Sequence, residues 1–444
     1  MLAHAKPSIP FPLNLGKLNP IPHRYRFVRR RKGRSRFEAE DITTLQTSFN
    51  PFDTIKKIKR HQWTLNDLQY LLLGGFFAFS LTIAPMPVVL KLGIVLLATA
   101  AFLMPITSQF FWPGAVIWTY LLYFFSSRFI PVEARPHIWV KVLPALENVL
   151  YGANLSNILS AHPHAIFDIL AWIPYGLLHF ALPFLITAVL FVFAAPGTTP
   201  VWAWAFGWMN IMGVSIQLVF PCTPPWYETK HGIDTPAYYG MEGDPAGLAR
   251  IDKLFGVDMY TTTFTTAPLP FGAFPSLHAG NATIEALFLS YCFPKLRPLF
   301  FLYVAWIWWA TMYLSHHYAV DLVGGSFLAA ICYYYARAYF LPRQQPDKTN
   351  RWEYEYIECG ENRPQEDALP VYNLGNYWDR RRGSSDEWTI GSSSAFSSSS
   401  SSASGTLSPV SAHDERGWES DTSHTPRSTH CSQEDSDLRE VVVR

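Results

Sequence analysis

Two short stretches hold the residue types and spacings that suit chemistry. SHHYAVD (315–321) places His317 and Asp321 four positions apart, and FPSLHAGNA (274–282) carries His278. On a helix, a spacing of four puts two side chains on one face, one turn apart. A carboxylate there accepts a hydrogen bond from one imidazole nitrogen, fixes the tautomer and leaves the other nitrogen free to act as base or nucleophile. In the second stretch Pro275 and Ser276 suit the opening of a helix, with His278 in its first turn. A helix start offers unpaired N–H groups and a positive dipole end, which stabilise a phosphate. Together these parts supply a histidine nucleophile, its orienting carboxylate, a second histidine as general acid and an anion cradle. That set suits phosphoryl transfer through a phosphohistidine.

Each stretch alone fits a packed or locally hydrogen-bonded histidine equally well. Two such stretches at the boundaries of apolar runs, on the same side, favour the chemical reading. A metal centre is the rival, with His278, His316, His317 and Asp321 as conceivable ligands. No HExxH-type motif supports it, and on a helix His316 would point about 100° away from His317. No metal or organic cofactor is expected.

The elements that must position these residues are membrane spans. Of the 444 residues 49% are hydrophobic and only 16% charged, against about 25% charged in an average soluble domain. That leaves too little polar surface for a water-soluble globule. A span needs roughly 20 mostly apolar residues. The runs that qualify or nearly so are 68–84, 88–103, 110–129, 167–194, 201–220, 277–292, 299–314 and 319–340. The expected fold is therefore an all-α polytopic membrane protein with about eight transmembrane helices, since lipid allows no unpaired backbone.

Basic stretches at 24–36 (RYRFVRRRKGRSR) and 56–60 (KKIKR) precede the first run. Beside a span they mark a cytosolic flank under the positive-inside rule, and no nucleic-acid partner is expected. Three segments follow: a basic N-terminal arm (1–65), a transmembrane core (66–341) and a Ser-rich tail (342–444) expected to be disordered. Counting crossings puts both termini in the cytosol. Loops 130–166 and 221–276, and the two histidine stretches, then fall on the far side. Within the second loop, GDPAGLARIDKLFG suggests a short helix capped by Asp244, opened by Pro245 and ended at Gly256, suited to a lid. Arg135, Lys141 and Arg250 share that side and are candidate phosphate partners, with Ser276 and His316 beside the substrate. No cleaved signal peptide is expected. The five cysteines have no metal or disulfide spacing. Asn154-Leu-Ser is a far-side glycosylation sequon, and Ser408-Pro409 and Thr425-Pro426 are phosphorylation candidates.

Pro275-Ser276-Leu277-His278 and the His317-x-x-x-Asp321 pair resemble the last two motifs of the type-2 phosphatidic acid phosphatase superfamily. The resemblance implies that His317 is the nucleophile, Asp321 its orienting carboxylate and His278 the general acid. The superfamily's arginine six residues before the nucleophile is Thr311 here. Its loss suits a singly charged phosphodiester better than a phosphomonoester. IPVEARPHIWVKVLPALENVLYG (130–152), QLVFPCTPPWYE (217–228) and GDPAGLARID (243–252), with the histidine stretches, look like fungal inositol phosphorylceramide synthases. That family likeness implies a Golgi enzyme with a phosphatidic-acid-phosphatase-like helical core. Its substrates would be phosphatidylinositol and ceramide, and it would work with a small accessory membrane subunit. A lipid phosphate phosphatase of the same fold and a non-enzymatic transporter are the alternatives.

Overall fold

The computed structural model describes residues 45–360, apart from 62, 64, 355, 356 and 358, and a two-residue parallel ladder between Tyr25–Arg26 and Leu369–Pro370. These belong to one compact unit, Met1–Ser384; a second, Ser385–Arg444, lies outside the described residues. So do the serine run and both Ser/Thr-Pro pairs.

Fifteen α-helices run in order through the described residues. They are α1 (Pro51–Arg60), α2 (Leu68–Ile83), α3 (Val88–Leu103), α4 (Pro105–Ser126), α5 (Val142–Tyr151), α6 (Leu155–Ser160), α7 (Ala165–Trp172) and α8 (His179–Phe193). Then follow α9 (Thr198–Val219), α10 (Pro225–His231), α11 (Leu248–Phe255), α12 (Met259–Thr265), α13 (Leu277–Cys292), α14 (Arg297–Tyr313) and α15 (Ala319–Tyr339). A π-helical turn, Ile173–Leu178, joins α7 to α8 without a break.

All eight apolar runs are helices. By length and composition, two of them can cross a bilayer as single helices: Ala165–Phe193 and Ala319–Tyr339. Val88–Leu103 and Pro105–Phe129 would add a third if counted together, but they bend by 109° at Met104. The other runs miss the test because their helices are short, as in α2, α13 and α14, or carry more polar residues, as in α9.

Apolar side chains cover the outside of the bundle. Nothing on α3 is buried, and Val89, Leu96 and Leu97 are each more than 70% exposed. Inside, small residues let helices approach closely, as membrane interfaces require. A Cβ on Gly207 (α9) would lie 2.6 Å from Val116 on α4, and one on Gly325 (α15) would run into the Ser276 carbonyl at the start of α13. Polar pairs bridge the same seams: Asn210 Nδ2 donates to Asn281 Oδ1 at 2.9 Å, and Thr283 and Ser326 share a 2.8 Å hydrogen bond.

The helix ends sort to two sides. On one, the C-termini of α9 and α14 meet the N-termini of α7, α13 and α15. The two long loops seat there, joined where Trp139 N–H bonds to Pro221 O at 2.9 Å and Thr223 N–H to Trp139 O at 3.1 Å. On the other, Ile106 N–H reaches Ser48 O at 3.1 Å, beside α1, and Tyr291 Oη donates to Pro342 O at 3.0 Å. The N-terminal arm is thus helical over Pro51–Arg60. Asn50 caps α1 by accepting from Phe52 N–H, and Lys57, Lys59 and Arg60 fill the last turn. The described residues of 342–360, which composition assigned to the tail, fold back on this side. Tyr354 and Ile357 are buried, and the Arg351 guanidinium stands 4.0 Å from the Phe191 ring centre.

Candidate active site

Ser276 opens α13 as its N-cap. Its Oγ accepts from Ala279 N–H at 3.3 Å, and its own N–H bonds to Asp321 O at 3.0 Å. The cap sets His278 as the second helical residue, beside the α15 N-terminus. Its Nδ1 lies 3.1 Å from His317 Nε2. On its other side His317 Nδ1 lies 3.4 Å from Asp321 Oδ2. The three side chains form a line, His278–His317–Asp321.

The spacing of four works here for a reason other than a shared helix face. His317 precedes the helix. Tyr318 is the N-cap of α15, and Asp321 is its third residue, whose Oδ2 accepts the Tyr318 N–H at 2.9 Å. Asp321 therefore meets His317 because a capping carboxylate reaches back to the residues before the helix. The turn before it is unusual: Ser315 has φ 61, and the N–H groups of His316 and His317 both point to Thr311 O, at 2.9 and 3.4 Å. Thr311, at the position of the superfamily's arginine, contributes a backbone carbonyl to this turn.

A carboxylate on Nδ1 makes His317 an Nδ1–H tautomer with a lone pair on Nε2. The hydrogen bond to that lone pair must then be donated by His278 Nδ1. Burial holds His317 well below its ordinary value of 6.5, at about 3, with only the Ala273 carbonyl pulling the other way. The imidazole is neutral, the nucleophilic form.

Ser276 and His316, expected beside the substrate, are both engaged by the protein. Ser276 is fully buried in its cap. His316 donates from Nε2 to Pro245 O at 3.2 Å and lies between the rings of Tyr175 and Phe264. The three cations also have partners of their own. Arg135 donates to the carbonyls of Ile130, Ser127 and Arg128. Lys141 pairs with Asp234 at 2.7 Å, both largely exposed. Arg250 pairs with Asp168 at 2.7 Å, whose same oxygen accepts from Tyr313 Oη at 2.9 Å.

The lid helix starts later than its sequence suggests. Asp244 Oδ1 accepts from Ala246 N–H at 2.7 Å in a tight turn, and α11 opens after Gly247; the stop at Gly256, with φ 67, is where expected. The turn at 244–247 is pinned instead to the histidine segment, because Gly247 N–H bonds to Leu314 O at 3.2 Å.

Sequence reasoning missed Tyr175 and His179. The π turn brings both to His278, with ring centres 4.4 Å away in each case. Pro174 and Gly176 inside an apolar run were the available signal. It also missed Glu228, whose Oε2 accepts from Tyr318 Oη at 3.0 Å and from Asn154 Nδ2 at 3.1 Å. Among the described residues no cluster of three or more His, Cys, Asp or Glu could hold a metal ion.

A family model described as the PAP2 superfamily matches residues 138–335, which include the histidine line and most of the two loops above it. The chain is 50% identical to the inositol phosphorylceramide synthase catalytic subunit of Schizosaccharomyces pombe, over 75% of this chain and 79% of that one. It is 46% identical to the Saccharomyces cerevisiae protein of the same name, over 71% and 79%. With the inositol phosphorylceramide synthase of Candida albicans it shares 45% identity, over 71% of this chain and 66% of the other.

Proposed function

The chain belongs to the inositol phosphorylceramide synthase family within the PAP2 superfamily, and on that premise we propose that it moves phosphoinositol from phosphatidylinositol to the primary hydroxyl of ceramide, releasing diacylglycerol. The observation that carries the residue roles is the His278–His317–Asp321 line, at 3.1 and 3.4 Å.

The first step breaks the hydrogen bond between the two histidines to admit the phosphodiester. His317 Nε2 attacks phosphorus, the bond to the diacylglycerol oxygen breaks, and His278, entering as the imidazolium, gives its Nδ1 proton to that oxygen and is left neutral with its proton on Nε2. Asp321 holds the Nδ1 proton of His317 throughout. In the second step the ceramide hydroxyl gives its proton to His278 Nδ1, its oxygen bonds to phosphorus, and the P–N bond breaks. Unpaired N–H groups at the start of α13 face the phosphate oxygens, as at other helix-terminus anion sites. Arg250, on the lid, is the cation we assign to the phosphate; binding would draw it from Asp168. No metal enters this scheme.

In the bilayer we place all eight apolar helices as crossings. The two-sided sorting of their ends supports this. The histidine side is then lumenal, in the Golgi, and both termini are cytosolic, in keeping with the basic residues before α2. Two of the relatives are named as catalytic subunits, which supports a small accessory membrane subunit as partner.

The test uses purified protein in detergent with fluorescent ceramide, phosphatidylinositol and a chelator. A new anionic sphingolipid, formed only with both lipids and unaffected by chelation, is the expected result. Phosphate released from phosphatidic acid with ceramide untouched would overturn the substrate assignment.

A further inference from the structure

We propose that a continuous stack of four rings, Phe264–His316–Tyr175–His278, clamps the lid onto the general acid and determines whether the phosphohistidine is consumed by a lipid hydroxyl or by water. The proposal rests on the transfer chemistry above.

The stack crosses four segments of the fold. Phe264 on α12 lies 4.6 Å from His316, ring centre to ring centre. His316 lies 5.2 Å from Tyr175, and Tyr175 4.4 Å from His278, with interplanar angles of 16° and 19°. Tyr175 and His316 are only 3% and 5% exposed, so the middle of the stack is dry. Face-on stacking of this kind restrains the tilt of a ring. It holds the His278 plane so that Nδ1 stays aimed at the side of His317 Nε2, where the phosphorus enters.

The lid is fastened at both sides of the stack. Its turn at 244–247 is held by the His316 hydrogen bond to Pro245 O and by the Gly247 bond to Leu314 O. Its second helix is held at Tyr260, whose hydroxyl accepts from Trp172 Nε1 at 2.6 Å. Gly176 makes this approach possible, because a Cβ there would lie 2.6 Å from the Trp172 ring and run into the Tyr260 hydroxyl. Removing a ring from the stack frees the lid over the histidines without removing any group that reacts.

The chemical consequence is a change of acceptor. A phosphohistidine reacts with any hydroxyl presented to phosphorus, and water is smaller and more abundant than ceramide. Transfer therefore depends on exclusion. With the lid loosened, a water oxygen bonds to phosphorus, its proton goes to His278 Nδ1, and the P–Nε2 bond breaks with the electron pair returning to His317. The products are inositol phosphate and free enzyme, a phospholipase C type of hydrolysis.

The experiment compares the full chain with Phe264→Ala, Phe264→Tyr and Tyr175→Leu, in detergent with phosphatidylinositol and ceramide. It reads the ratio of inositol phosphate to inositol phosphorylceramide. That ratio does not depend on how much of the sample is folded. Phe264→Ala and Tyr175→Leu should each raise it by about tenfold, the factor that the loss of one aromatic contact corresponds to. Phe264→Tyr, which keeps the ring, should return it to the parent value. Ratios unchanged in both ring-removing variants, with transfer intact in the parent, would overturn the stack's role alone. A parent that releases inositol phosphate but never labels ceramide would overturn the transferase reading, and this proposal with it.

Discussion

Asp321 has two carboxylate oxygens and an unequal use for them. Oδ2 takes the Tyr318 N–H and faces His317, while Oδ1 is buried with no hydrogen-bond partner. Cap and catalytic orienter are thus one atom, so Asp321→Asn should cost activity on the order of 10³–10⁴-fold by inverting the tautomer it holds, with the helix still formed. Single-turnover assays of head-group transfer would measure this. His278→Ala and His317→Ala should each abolish turnover with little change in thermal unfolding. Near-normal activity in either would remove its assigned role. The buried histidines also set a pH dependence of stability. His316 and His317 both sit at about 3 in the fold, against an ordinary 6.5, because burial disfavours the charged form. Above 6.5 both are neutral, folded or unfolded, and nothing is lost. As pH falls from 6.5 toward 3 the unfolded chain gains protons that the fold refuses, so stability falls. Unfolding temperatures measured in detergent between pH 7 and pH 4 should decline, and more gently in His316→Phe. The pairing of His317 with Asp321 was legible from spacing, but its cause was not. A gap of four reads the same for a helix face as for a cap reaching backwards, and only the position of the helix start separates them.

At the scale of elements, the seam between α13 and α15 fixes the distance between the two histidines. Gly325 lies against the Ser276 carbonyl, and Gly280 against the Gly325 carbonyl, where a Cβ would come within 3.3 Å. Gly325→Ala meets backbone, which cannot swing aside. It should destabilise the protein by about 1–3 kcal/mol, as overpacking does, and lower activity more than tenfold by parting His278 from His317. Thermal unfolding and turnover measured on one preparation would check both, and wild-type turnover would contradict the seam's role. The small residues after Asp321 are visible in the sequence as a close-packing face, but their partner is not. Other elements were less legible. The lid helix starts after Gly247 because Ala246 stands at φ 46 and Gly247 N–H is drawn to Leu314 O, a tertiary contact that no local capping rule contains. Tyr175 and His179 sit in an apolar run where an aromatic facing lipid and one facing a catalytic ring look alike.

At the scale of the whole molecule, hydropathy located all eight apolar helices, because a long apolar run is written in composition. It did not locate the 109° bend between α3 and α4, nor the return of residues 342–360 onto the bundle. That return depends on a few large side chains in a polar segment. A chain stopped at 341 loses the Arg351–Phe191 contact and the buried Tyr354 and Ile357. It should unfold several degrees lower than a chain stopped at 360, each buried aromatic or aliphatic side chain contributing about 1.5–3 kcal/mol. Equal unfolding temperatures would show that the segment is only laid on the surface. The partners of the cations expected at the phosphate were legible only in part. The carbonyls that hold Arg135 are close by in sequence, but the carboxylates that hold Lys141 and Arg250 come from distant parts of the chain.

The hydrogen bond between Asn154 and Glu228 carries a consequence for the life history of the protein. Asn154 Nδ2 is the atom to which an N-linked sugar would be joined, and in the folded chain it donates to Glu228, which in turn holds Tyr318 at the head of α15. A sugar replaces one of the two Nδ2 protons and leaves the other, so the contact survives glycosylation only when the remaining proton is the one aimed at Glu228. Sugar on Asn154 would therefore have to leave along the other N–H direction, and an endoglycosidase-sensitive band in the active fraction would show that the fold leaves that direction open.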